Sequence, residues 1–224
     1  MKYSAIITDI EGTTSRISFV TEVLFPYARQ HLPAFVRSQQ HQPEVAQELD
    51  GVRQLIADPT ADIEQCIQAL LGWLDADQKI TPLKSLQGMI WRAGYEQGHF
   101  SGHVYPDVIA QLQAWHAKGI KLYIYSSGSV AAQQLLFKYS DAGDLTPLFS
   151  GYFDTRIGAK RELASYAAIL QRLQLPPTQV LFLSDVTAEL DPARQLGIAT
   201  VQLIREHQAA ADHPIAHDFY QIEV

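Results

Sequence analysis

The chain reads as an α/β protein: a parallel sheet with helices on both faces, and a second, all-helical unit inserted after the first strand. Three observations carry this. Apolar runs at 4–8, 120–125, 180–183 and 198–203 have strand length and composition, and 151–153 is a weaker fifth. Helix patterns alternate with them from Val104 onward, as parallel strands require. The stretch 15–103 shows no convincing strand and is too long for a loop.

The elements follow in order. The first run ends at Thr8 and is followed at once by Asp9-Ile10-Glu11-Gly12-Thr13-Thr14. Helix patterns then occupy 22–39, 44–57, 62–74 and 82–97, which together make a small bundle. The segment 14–18 is its expected outgoing hinge, and Gly98-His99-Phe100-Ser101-Gly102 its return. Pro106 suits the opening of a helix that stops at Gly119. The strand pattern 120–125 comes next, with Lys121 tolerable near a rim, and then a helix over 130–139. A helix over 161–173 is ended by Pro176-Pro177. Pro192, after Asp191, is expected to open a last helix that stops at Gly197. The expected domains are 1–14 with 104–224, and 15–103.

Composition narrows the class. Hydrophobic residues make up 47% of the 224, which suits a globular chain. The net charge is −7 and the isoelectric point about 5.5, with no basic tract, so neither nucleic acid nor an anionic membrane is an expected partner. Cys66 is the only cysteine, which fits a reducing compartment. No apolar stretch has membrane-spanning length, and the sequence starts directly on a strand pattern without a signal peptide. A cytoplasmic monomer is the expectation.

The chemistry is expected at the strand ends. In extended backbone, residues i and i+2 point the same way, so Asp9 and Glu11 stand together at the edge where α/β sheets bind ligands. Such a pair suits a divalent cation, or a nucleophile with an acid/base partner. Ser126 and Ser127 follow the second strand and precede a helix, a good place for phosphate. Lys160 opens a helix, where a cation gains nothing from the helix dipole and is either solvated or placed for an anion. Asp185 ends the strand 180–183, with Glu189 four residues on. Taken singly, each has a plain alternative: an acidic turn, a serine helix cap, a solvated lysine, an acidic loop. Their joint occurrence at strand and helix edges is what points to a site. The eight histidines show no metal-ligand spacing, and Trp73, Trp91 and Trp115 read as core.

Asp9-x-Glu11-Gly-Thr, Ser126, Lys160 and Asp185-xxx-Glu189 resemble the four motifs of the haloacid dehalogenase (HAD) superfamily, and the helical insert resembles its mobile cap. The likeness covers essentially the whole chain and implies a HAD-like Rossmannoid sheet. Most phosphatases of that superfamily have Asp-x-Asp where this chain has Glu11. The strings Asp9-Ile-Glu-Gly-Thr-Thr, Tyr123-Ile-Tyr-Ser-Ser-Gly-Ser-Val and Leu181-Phe-Leu-Ser-Asp-Val-Thr resemble the enolase-phosphatase (acireductone synthase) family of methionine salvage.

That resemblance implies a phosphoric monoester hydrolase. Asp9 would be the nucleophile that forms an aspartyl-phosphate, and Glu11 the general acid and then base. One Mg²⁺ per chain would be held by Asp9, Asp185 and the backbone carbonyl of Glu11. Ser126, Ser127 and Lys160 would bind phosphate, and Glu189 would orient Lys160 or a metal-bound water. The implied substrate is the phosphorylated diketone 2,3-diketo-5-methylthiopentyl 1-phosphate, enolised and then dephosphorylated to 1,2-dihydroxy-3-keto-5-methylthiopentene. Phe19, Val20 and Phe25 could line a pocket for its methylthio tail or simply pack the insert. A HAD phosphatase for another small phosphate ester shares every motif. A metal-free haloacid dehalogenase would have no use for Glu11, and a phosphate-accepting receiver domain lacks so long an insert.

Overall fold

All four residues of β1 (Ala5–Thr8) are buried, so its apolar side chains need cover on both faces and the strand belongs in the middle of a sheet. The computed structural model, which describes residues 2–206 and 208–224, places it there. The other strands are β2 (Lys121–Tyr125), β3 (Phe149–Phe153), β4 (Val180–Ser184), β5 (Ala199–Leu203) and β6 (Ile215–Ala216). The sheet order is β3-β2-β1-β4-β5-β6, with every pair parallel. The chain runs outward from β1 through β2 to β3, then crosses back to β4 and runs outward the other way. The switch point lies between β1 and β4, and open α/β sheets bind ligands at the strand ends beside such a point.

Register decides which residues meet there. Thr8 pairs with Ile124 on one side and Leu183 on the other. Asp9 therefore leaves the sheet level with Tyr125 and Ser184, one residue short of Ser126 and Asp185.

Contacts divide the chain into two compact units, Met1–Ile17 with Ser101–Val224, and Ser18–Phe100. The second unit opens with one turn of π-helix, Val20–Leu24, and continues as α1 (Phe25–Gln39), α2 (Pro43–Leu55), α3 (Ile63–Asp75) and α4 (Thr81–Glu96). Asp62 and Gln65 form a reciprocal capping box at the start of α3, and prolines open α2 and α4. Its core is made by Leu32, Val36, Leu49, Val52, Ile67, Leu70, Leu86 and Ile90 from all four helices.

In the first unit the helices are α5 (Pro106–Ala117), α6 (Val130–Lys138), α7 (Leu163–Leu173) and α8 (Thr187–Gln195). One face of the sheet packs Ile7, Tyr125, Val180 and Phe182 against Tyr166, Ile169, Leu190 and Ala193. Trp115 stacks on Phe219 at 5.5 Å, with both rings buried. No helix among the described residues is long and apolar enough to cross a membrane.

Two features differ from the sequence reading. Pro192 does not open a helix but lies inside α8, which starts at Thr187. Leu190 and Ala193 both reach the apolar layer only if the helix begins early, and that burial outweighs the one backbone bond Pro192 cannot make. Gly102, within the expected return hinge, is fixed by close packing: a Cβ there would sit 2.2 Å from the Leu136 carbonyl oxygen.

Candidate active site

The loop after β1 is built to hold Asp9 still. The amides of Thr13, Thr14 and Ser15 all donate to the Ile10 carbonyl, at 3.2, 2.9 and 2.9 Å. Thr14 Oγ1 donates to the Asp9 carbonyl at 3.1 Å. Gly12 turns with φ +72°, and a Cβ on it would lie 2.3 Å from Asp185 Oδ2, so only glycine lets this loop press against β4's end. Asp9 itself is only 5% exposed, not the solvent-facing carboxylate that a strand end suggests.

Asp9 Oδ1 accepts from the Ile10 amide at 2.7 Å and lies 2.7 Å from Lys160 Nζ. Lys160 sits in the turn before α7 and, at 7% exposed, is not solvated. Its Nζ also lies 2.7 Å from Glu189 Oε2, which takes a further bond from Ser184 Oγ at 3.0 Å. Tyr166 Oη lies 2.7 Å from the carbonyl oxygens of both Lys160 and Glu189, which share its one proton, tying the turn before α7 to the first turn of α8. Burial works against the Lys160 charge, but Asp9 and Glu189 outweigh it and raise its pKa. Burial, and then the Asp9 charge, push Glu189 upward.

Asp185 directly follows β4, beside this trio. Burial first, and then the Asp9 carboxylate, raise it from 3.8 to about 6. Among the described residues its buried Oδ1 has no hydrogen-bond partner, while Oδ2 accepts from Gln208 Nε2 at 3.3 Å. Two carboxylates thus hold one ammonium, with Asp185 beside them and its Oδ1 left without a partner among the described residues. Carboxylate oxygens are the donors a hard divalent cation takes, and Asp9 and Asp185 could supply them; among the described residues no group of three or more His, Cys, Asp or Glu side chains is gathered to hold a metal ion.

Ser126 follows β2, buried, with its amide donating to the Phe153 carbonyl at 3.1 Å. Its Oγ accepts from the Gly128 amide at 3.2 Å. Ser129, not Ser126 or Ser127, caps α6. This removes the plain capping explanation for the first two serines. Glu11 is exposed, and its backbone bridges to Ser15. The structure therefore brings Asp9, Lys160, Glu189 and Asp185 together and puts Ser126 at the same sheet edge.

Four participants were not singled out from sequence. Thr13 Oγ1 accepts the Asp185 amide at 3.0 Å and locks the two carboxylate loops together. Gln208 bonds Asp185 directly. Gln202, buried on β5, donates to the Ala209 carbonyl at 2.9 Å and accepts the Ala211 amide at 3.0 Å, which fixes the loop that carries Gln208. Asp154 accepts the amides of Val130 and Arg156 at 3.2 and 3.0 Å and so sets the start of α6. Burial raises Asp154, but these two donors and the Arg156 charge hold it below the usual carboxylate range. An acidic residue closing a strand was the only signal available for Asp154.

A buried aspartate at the end of the central strand, paired to a lysine and facing a second aspartate across the switch point, defines a HAD-like hydrolase. A family model for haloacid dehalogenase-like hydrolase matches residues 3–197. Enolase-phosphatase E1 of Pseudomonas syringae pv. syringae (strain B728a) is 54% identical over 223 residues, covering 100% of this chain and 98% of that protein. Enolase-phosphatase E1 of Serratia proteamaculans (strain 568) is 57% identical over 221 residues, covering 98% and 96%. The crystal structure of the UTR4 protein of Saccharomyces cerevisiae aligns with a TM-score of 0.83 at 36% identity, covering 98% of this chain and 100% of that one. The chain belongs to the enolase-phosphatase E1 family of haloacid dehalogenase-like hydrolases.

Proposed function

We infer that the protein is an enolase-phosphatase of methionine salvage. It enolises 2,3-diketo-5-methylthiopentyl 1-phosphate and then removes phosphate to give 1,2-dihydroxy-3-keto-5-methylthiopentene. Family membership at 54–57% identity supports the activity. The observation that supports the residue assignments is Asp9, buried at the strand end and held at Oδ1 by Lys160 and the Ile10 amide.

Oδ2 attacks phosphorus, the ester P–O bond breaks, and Glu11 gives its proton to the departing enol oxygen. Glu11 then takes a proton from the water that attacks the aspartyl-phosphate, releasing phosphate and restoring Asp9. Lys160 pairs with Asp9 and, with Ser126 and Ser127, holds phosphate oxygens as charge spreads over them. Glu189 holds Lys160 in line. Asp9, Asp185 and the backbone carbonyl of Glu11 would hold one Mg²⁺ per chain, which when bound offsets the charge of the phosphate. The unit Ser18–Phe100 is proposed as the cap, and the protein as a cytoplasmic monomer, in keeping with its single buried cysteine.

Phosphate release from the diketo phosphate with Mg²⁺, repeated with chelator and then with Mg²⁺ restored, tests this reading. Activity should vanish and return. Full activity in metal-free buffer would point instead to dehalogenase-like chemistry.

A further inference from the structure

A second buried ion pair lies behind the site. Arg205, just past β5, has a side chain 6% exposed, and its Nη2 lies 2.9 Å from Asp107 Oδ2 in the first turn of α5. The guanidinium centre sits 4.4 Å from the Tyr105 ring and 5.4 Å from the Phe219 ring. Asp107 Oδ2 also accepts the Phe219 amide at 2.8 Å. A planar cation fixed by a carboxylate and two rings is rigid, and such a rigid donor can hold whatever it points at.

Its Nε points at the Thr13 carbonyl, at 3.2 Å. The neighbouring Thr14 carbonyl accepts the Tyr105 amide at 3.0 Å. Successive carbonyls of the nucleophile loop are thus clamped from the α5 side, while Thr13 Oγ1 takes the Asp185 amide from the β4 side. Thr13 is joined to both. Its position fixes the separation between the loop that carries Asp9 and Glu11 and the loop that carries Asp185.

Resting on the Mg²⁺ reading above, we propose that Arg205 is a positioning residue for the metal site: through Thr13 it sets the spacing of the oxygen ligands without touching them. Outer partners of this kind typically alter metal affinity about 10- to 100-fold. Arg205→Lys keeps a positive charge for Asp107 but removes the Nε donor to Thr13.

The test is Mg²⁺ binding by calorimetry to metal-free protein, with a thermal melt of each variant. Arg205→Lys should weaken Mg²⁺ roughly 10-fold or more at a melting temperature near wild type. Thr13→Val should do the same, and the double variant should be no weaker than the worse single one, because both cut one link. A wild-type Kd in Arg205→Lys overturns the inference, and so do effects that multiply in the double variant. If the wild type itself binds no Mg²⁺, the metal reading fails and this inference with it, a result distinct from the other two.

Discussion

The two units bury different things. In Ser18–Phe100 the buried polar groups among the described residues are the neutral Gln87 amide and Tyr95 hydroxyl, and its ion pairs, such as Arg29–Asp75 and Arg37–Glu64, are about half exposed. In the α/β unit Asp9, Asp154, Lys160, Asp185, Glu189 and Arg205 all carry their charges out of water. A buried charge survives only with a partner or a use, so the contrast separates a unit stabilised by apolar packing from one that holds chemistry at a cost.

The largest effect that would break this contrast is at Asp9. Asp9→Asn removes the nucleophile while keeping its shape, and phosphate release should fall roughly 10⁴- to 10⁶-fold with the circular dichroism spectrum unchanged. Turnover near the wild-type rate would remove Asp9 from the mechanism.

Glu11→Ala comes next. Its proposed metal contact is the backbone carbonyl, which no side-chain change removes, so Mg²⁺ should still bind while phosphate release drops about 10²- to 10⁴-fold. Glu11→Asp should recover only part, since a shorter acid is misaligned. Calorimetry beside a phosphate assay reads both halves.

Lys160→Met and Arg29→Met apply one substitution to both units. The first leaves Asp9 and Glu189 buried without their cation and should destabilise by about 3–5 kcal/mol in denaturant titration at pH 8. The second breaks a solvent-exposed pair and should leave the midpoint unchanged. Equal shifts would erase the distinction between the units.

The smallest effect is in pH. Asp185 is raised to about 6, so below that value a proton occupies a proposed ligand oxygen and competes with the cation. Mg²⁺ affinity should be level above pH 7 and fall by up to about tenfold per unit below pH 6. A profile flat down to pH 4.5 would exclude Asp185 as a ligand.

Much of this was legible in the sequence because it is local. Strands β1, β2, β4 and β5 show as apolar runs, and the order of elements gives the parallel sheet. That sheet alone brings Asp9, Ser126 and Asp185 to one edge. What escaped depends on distant neighbours. β6 is two residues long and pairs on one side only, so it leaves no periodicity. Lys160 reads locally as either solvated or placed for an anion, and what the local sequence does not show is that two carboxylates, from positions 9 and 189, hold it buried. Arg205, in an Arg-Glu-His stretch, reads as surface, since its partners lie 98 and 192 residues away. Asp107 reads as an acid favoured by a helix start, which hides its second role. Pro192 misled because a local rule for proline lost to burial of Leu190 and Ala193.

The most direct measurement follows both steps on one sample. The protein is mixed with 2,3-diketo-5-methylthiopentyl 1-phosphate and Mg²⁺, with enol absorbance and free phosphate recorded separately. In the wild type, enol absorbance should rise ahead of phosphate, and in Glu11→Ala a phosphorylated enol should accumulate if another group abstracts the proton. Phosphate appearing with no enol signal would contradict the account and leave a plain phosphatase in its place.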